Sequence, residues 1–287
     1  MENSDSKWDL IIKPEKGFFY FDLKDLYSYR DLVRMLVIRD FVTFYKQTIL
    51  GPLWFFIQPI FHAAINYFVF GKLAGLGPEG VPGYLFYLSG PIFWQYFQDV
   101  FGKVSGTFRD NQNIFGKVYF PRLVIPISVL FSSLIKLGVQ LILLLLAISY
   151  YYFQTGEMSI QKEIMYFPLL LVLLIGLSLG LGLIITSLTA KYKDLKFLID
   201  FGIPLLKYIT PGIATTYLIF LTNVPSSEFL LLLNPIGHIL DSMNFIFTGA
   251  GAINYFNLLY STFVMFFVLL FGVLIFQKTE RDFIDTV

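Results

Sequence analysis

Residues 167–190 read FPLLLVLLIGLSLGLGLIITSLTA, without one ionisable side chain. A helix needs about 20 mostly apolar residues to cross the hydrocarbon core of a bilayer, and this block supplies them with nothing that requires water. Five further blocks meet or approach that length: Leu53 to Phe70, Tyr84 to Phe101, Leu123 to Phe153, Leu198 to Leu221, and Tyr255 to Phe276. The block from Leu123 is long enough to tilt, or to emerge from the membrane as an amphipathic continuation. The expected fold is therefore all-α integral membrane, with six transmembrane helices.

Composition agrees. Of 287 residues, 56% are hydrophobic, 19% aromatic and 14% charged, whereas a soluble domain has roughly a quarter of its residues charged. The net charge of +1 conceals how the charges are distributed. Eight basic residues precede the first block (Lys7, Lys13, Lys16, Lys24, Arg30, Arg34, Arg39, Lys46) and four lie between the second and third (Lys103, Arg109, Lys117, Arg122). Three more lie between the fourth and fifth (Lys191, Lys193, Lys196), and two follow the sixth (Lys278, Arg281). The alternate loops hold only Lys72 and Lys162. Basic residues collect on the cytoplasmic side, so six spans leave both termini in the cytoplasm. The first residues, Met1 to Ser6, are acidic and polar where a signal peptide is basic and then apolar; no cleavage is expected. The absence of cysteine excludes a disulfide framework and thiolate metal sites, and no nucleic-acid partner is indicated.

Three segments follow from this frame: a cytoplasmic N-terminal segment at 1–51, a six-span transmembrane domain at 52–277 and a short cytoplasmic tail at 278–287. Within the first, Leu26, Tyr29, Val33, Leu36, Val37, Phe41 and Phe44 fall on one arc at 100° per residue, with Lys24, Asp31, Arg39 and Lys46 opposite. That pattern predicts an amphipathic helix on the membrane surface, either a passive anchor or a moving gate. Gly51 and Pro52 end it. Between Thr222 and Asn254 the apolar run Phe229 to Leu233 is too short to span, and Asn234, Pro235, Gly237 and the Gly249-Ala250-Gly251 turn break the rest. The expectation there is one or two short re-entrant helices on the outer side, tolerated only where protein or a wet cavity covers their backbone.

No phosphate-binding loop is present. The pairs Gly102-Lys103 and Gly116-Lys117 lack the upstream glycine and the following hydroxyl residue, so any ATPase, with its ATP and Mg, must be a separate chain. The stretch RDNQNIFGKVYFPR, Arg109 to Arg122, stands out because Ile114, Phe115, Tyr119 and Phe120 have no reason to face water together. It is either a docking element or an aromatic belt in the headgroup region.

IFGKVYFPR at 114–122, followed by Leu123 to Pro126, resembles the signature after the second span in permeases of ABC-type polysaccharide and polyol-phosphate exporters, the family that moves O-antigen, capsule and teichoic acid chains. Arg39, Asp40, Tyr45, Lys46, Thr48, Leu50, Gly51, Pro52, Leu53, Trp54 and Pro59 are similar to its first-span motif, Ala190 to Leu195 to a third, and Asn234-Pro235 to a fourth. The resemblance implies a half-transporter of the bacterial inner membrane that pairs with a second copy of itself and binds two ATPase subunits. It implies ATPase coupling through Asn113, Ile114, Phe115, Lys117, Tyr119, Phe120 and Arg122, with Tyr192, Lys193, Asp194 and Lys196. A gate at Arg39, Asp40, Tyr45 and Lys46 is implied too, with the outer helices capping the exit.

The residues themselves suggest how sugar could pass. Trp54, Phe55, Tyr84, Tyr87, Trp94 and Tyr96 concentrate aromatic faces in the first two spans, and such faces offer sugars apolar contacts without strong directional bonds. Packing between helices or contact with lipid is the competing use. Lys136 and Lys207 lie inside spans, where charge is costly. They either meet the pyrophosphate of a lipid-linked glycan or serve structure, Lys136 by pairing with Asp99 and either one by snorkelling. His62 and His238 are far apart and no paired carboxylates accompany them; no catalytic or metal site is expected.

These readings converge on the permease subunit of an ATP-driven exporter of lipid-linked polysaccharide. A permease for small hydrophobic compounds is the alternative, and a membrane glycosyl-transfer enzyme a more distant one.

Overall fold

The structure is a computed structural model and describes residues 23–46, 48–73, 75, 80–118, 120–192, 194–210 and 232–284. All regular structure among the described residues is helical. α1 (Leu23–Ser28) and α2 (Arg30–Tyr45) are followed by a 3-10 turn at Gly51–Leu53, and α3 (Trp54–Asn66) continues as a π-helical stretch, Tyr67–Leu73. α4 (Gly83–Ser105) leads through two single-turn helices, α5 (Thr107–Asp110) and α6 (Gln112–Phe115), into α7 (Val124–Thr155). Then come a 3-10 helix at Lys162–Tyr166, α8 (Phe167–Lys191), α9 (Leu195–Ile209), α10 (Pro235–Thr248) and α11 (Tyr255–Ile284).

Among the described residues, four helical stretches are long and apolar enough to cross a membrane: Gly51–Leu73, Val124–Thr155, Lys162–Lys191 and Tyr255–Arg281. They coincide with the first, third, fourth and sixth apolar blocks. α4 covers the second block with 23 residues, but Gln95, Gln98 and Asp99 lower its hydropathy, and it lies in the middle of the bundle. α9 covers the first part of the fifth block, the remainder of which lies outside the described residues, as do the N-terminal residues before Leu23.

Small residues set the packing. A Cβ on Gly180 of α8 would come within 2.8 Å of the Leu269 backbone of α11, and one on Gly272 of α11 within 2.6 Å of the Gly180 carbonyl oxygen. The two backbones therefore cross in direct contact, as small residues permit between membrane helices. On another face of α8, Gly182 leaves room for Val104 of α4, 2.7 Å from where its Cβ would stand. α4 carries the bulk opposite these glycines: Tyr87, Phe93, Trp94, Tyr96 and Phe97 are all buried. Phe93 stacks on Phe247 of α10 at 5.6 Å.

α10 starts where its sequence says a helix can. The Asn234 side chain accepts a hydrogen bond from the Gly237 amide at 3.1 Å, and Pro235 takes the first helical position, where its missing N–H costs nothing. Gly249 ends the helix in the left-handed region at φ 77°. Most of its side chains are buried against α4, α8 and α11. Of the Thr222 to Asn254 segment, the part before Leu232 lies outside the described residues.

Candidate functional site

The bridge between α4 and α7 is built on aromatic contacts. Phe108, 1% exposed, stacks on Phe276 of α11 at 4.7 Å and meets Phe115 at 6.1 Å, which meets Phe120 at 5.8 Å. Arg122 closes the group. Its guanidinium donates to the Glu280 carbonyl oxygen at 2.8 Å and lies 5.1 Å over the Phe115 ring, and its backbone N–H donates to the Glu280 carboxylate at 3.2 Å. Burial pulls the Arg122 pKa down and the Glu280 carboxylate opposes this; a guanidinium starts so high that it stays charged.

Two hydrogen bonds fix this bridge to the end of α8. The Phe108 amide donates to the Thr186 hydroxyl at 3.3 Å, and the Thr189 hydroxyl donates to the Ser105 carbonyl at 3.2 Å. The C-terminal ends of α4, α8 and α11 and the N-terminal end of α7 thus lie together. That end carries the basic residues of the second-to-third and fourth-to-fifth connections.

The candidate coupling residues named above divide by exposure. Phe115 is half-buried, Phe120 and Arg122 are buried, and all three hold the bridge together. Asn113, Ile114 and Lys117 face outward, with Val118 beside them at 59% exposure. In the second motif Tyr192 and Asp194 are exposed and Lys196 is half-buried. Lys191 reaches over the Tyr192 ring at 5.4 Å. Tyr119 and Lys193 lie outside the described residues.

α2 packs along α7, with Leu26, Tyr29, Leu32, Val33 and Leu36 against Phe120, Val124 and Ile125. Of the candidate gate residues, Arg39 donates to Asp40 through Nε at 3.0 Å and a terminal nitrogen at 2.8 Å, and Lys46 is exposed. The Tyr45 side chain lies outside the described residues. Phe41 stacks on Phe55 at 5.6 Å, which joins α2 to the start of α3.

The six aromatics of the candidate conduit are not on one surface of the chain. Tyr87, Trp94 and Tyr96 are buried within it, at 0, 1 and 2% exposure. The Trp94 indole donates to Gln98 at 3.1 Å. Phe55 is buried under Phe41, while Trp54 and Tyr84 are half-buried. Lys136 of α7 donates to Asp99 of α4 at 2.6 Å, and Gln95 donates to the other oxygen of the same carboxylate at 2.7 Å. Lys207 forms no ion pair among the described residues.

Glu280, Phe276, Phe108, Thr186 and Thr189 complete the bridge and were not singled out in the sequence. Two threonines near the polar end of an otherwise apolar helix were a weak signal for the last two. Nothing local marks Glu280. The arrangement ties four helix ends to one exposed patch; among the described residues no three His, Asp or Glu side chains gather around a metal position.

A sequence model of the family described as ABC-2 type transporter matches residues 31–248. An O-antigen export system permease protein RfbA of Klebsiella pneumoniae is 26% identical over 260 residues, which cover 89% of this chain and 94% of that protein. A protein of the same description from Myxococcus xanthus is 25% identical over 227 residues, covering 78% of this chain and 83% of its own length.

Proposed function

The chain belongs to the ABC-2 type transporter family, and from that premise we propose that it is the permease subunit of an ATP-driven exporter carrying lipid-linked polysaccharide across the bacterial inner membrane. The observation that carries this reading is the near full-length match to permeases described as serving O-antigen export. A bridge built to present an exposed patch beside the ends of α4, α7, α8 and α11 supports it. Two copies would enclose the path, with six spans each and both termini cytoplasmic. The fifth span begins with α9, and α10 dips back from the outer side under the cover of α4, α8 and α11. Two ATPase subunits, which bind ATP and Mg, dock on Asn113, Ile114, Lys117 and Val118 and on Tyr192 to Lys196. Their closure is carried to the spans through Phe108, Phe115 and Arg122, and to α2 through Phe120. Such coupling needs an element with two arrangements that both ends can bias, and α2 is placed to be that element. The aromatics that meet sugar are drawn from exposed and half-buried positions such as Trp54 and Tyr84, while Tyr87, Trp94 and Tyr96 hold the protomer together.

Mild-detergent purification of the tagged chain from its host, with mass spectrometry of what accompanies it, tests the reading. An ATPase in equal amount together with a glycolipid is the expected result; a lone chain that transfers sugar would overturn it. The reading as an exporter of small hydrophobic compounds has one observation in its favour, an apolar groove between α2 and α7. That groove lies on the flank of the protomer, and stimulation of the ATPase by hydrophobic compounds but not by glycolipid would select the second reading.

A further inference from the structure

The groove between α2 and α7 has a volume of about 780 Å³, within the range of about 300–1,000 Å³ of sites that bury small ligands. Leu26, Val33 and Val37 form one wall and Phe131, Leu134 and Ile135 the other. Phe131 and Ile135 are 51% and 43% exposed, and the same side of α7 continues through the exposed Ile142, Leu145 and Leu146. The apolar wall is therefore continuous with a lipid-facing helix surface.

Two of the lining side chains are charged, and both are arginine. Arg30 and Arg34 stand one turn apart on α2, close enough to act on one group. Arg30 lies over the Tyr27 ring at 4.8 Å. Neither arginine forms an ion pair among the described residues. Asp31, the nearest carboxylate in sequence, lines a separate hollow with Arg34, Met35 and Ile38, and no ion pair joins it to Arg34 among the described residues. Two guanidiniums over an apolar trough match a phosphate with a hydrocarbon tail, because a guanidinium binds phosphate in a planar, bidentate fashion and basic pockets at the cytoplasmic ends of spans attract anionic headgroups.

We propose that this groove is a binding site for an anionic phospholipid of the cytoplasmic leaflet, its phosphate held between Arg30 and Arg34 and an acyl chain lying along Phe131, Leu134 and Ile135. The assignment of leaflet rests on the orientation proposed above. From Ile127 to Ile135 α7 advances about 12 Å, less than half of a hydrocarbon core about 30 Å thick. The site therefore fits a lipid confined to one leaflet. A second copy of the chain would have to bring a carboxylate to the two arginines.

The test is native mass spectrometry of the purified full chain, titrated with micelles containing phosphatidylglycerol or phosphatidylcholine. The parent chain retains phosphatidylglycerol in preference. Arg30→Gln with Arg34→Gln lowers that retention about tenfold and leaves phosphatidylcholine unchanged, which also reports that the chain is folded. Arg30→Lys with Arg34→Lys keeps an intermediate preference, and Ile135→Trp, which fills the groove, lowers both lipids. Equal phosphatidylglycerol retention by the parent and the double glutamine variant would overturn the proposal. So would displacement of phosphatidylglycerol by an equal amount of polyprenyl phosphate, or a spontaneous disulfide between two copies carrying Ile135→Cys. Retention is read on the chain itself, so its failure is distinct from failure of the exporter reading, which shows in the missing ATPase and glycolipid.

Discussion

At the scale of single residues, Lys136 is the clearest case of a charge that the membrane tolerates because of its neighbours. Its ammonium group meets Asp99 at 2.6 Å, and Gln95 occupies the other carboxylate oxygen. Lys136→Met leaves Asp99 without its cation, and the chain should lose on the order of 2–3 kcal/mol of stability. Lys136→Met with Asp99→Leu should recover most of it, a comparison that thermal unfolding in detergent decides. The bridge supports a second prediction. Ile114→Asp with Val118→Asp changes only outward-facing positions and should abolish ATPase co-purification with yield and melting behaviour intact. Phe115→Ala, which removes a half-buried ring shared by Phe108, Phe120 and Arg122, should instead lower stability by about 1–3 kcal/mol. If the ATPase still co-purifies with the double aspartate variant, the patch is not the dock. The aromatic character of this bridge was plain in the sequence, but which rings turn inward was not, because that depends on Phe276 and Glu280 from a distant helix.

Among the helices, the long apolar runs were legible because a bilayer leaves a chain little choice: Phe167 to Ala190 became α8 almost residue for residue. α4 was read as a span from its length; its polar positions Gln95 and Asp99 acquire a reason once Lys136 of α7 stands beside them, and Gln98 accepts from Trp94 of the same helix. The arc drawn for the N-terminal helix omitted Leu32, which packs with Leu26 and Leu36 against the bridge. A helical wheel shows where side chains point and is silent on which partner covers them. The glycine crossing of α8 and α11 carries its own prediction. Gly180→Ala or Gly272→Ala places a methyl group against backbone that has no rotamer with which to yield, and should cost about 1–3 kcal/mol. Gly138→Ala in α7, where no atom beyond the adjoining helix backbone lies within 4 Å of the added carbon, is the control that should not lower stability.

For the molecule as a whole, the chain contains no cysteine, so its topology can be read by single additions without a background. Cysteine at Lys103, Lys117 or Lys191 should react with a membrane-impermeant maleimide only in inside-out vesicles, and cysteine at Gly156 or Lys162 only in intact cells. Labelling of both groups from one side would break the proposed arrangement. The expected sidedness rests on charge asymmetry, a property of the chain summed over its loops. The link from α11 to the bridge was not, since Arg122 and Glu280 are 158 residues apart. That separation has a consequence for assembly. A ribosome finishes the bridge long before it makes the residue that clamps it, so a nascent chain carries Phe115 and Arg122 unsecured until α11 has been inserted. A partner that recognises only the clamped form would pass over unfinished or truncated subunits, and the Arg122–Glu280 contact would serve as a mark of completion.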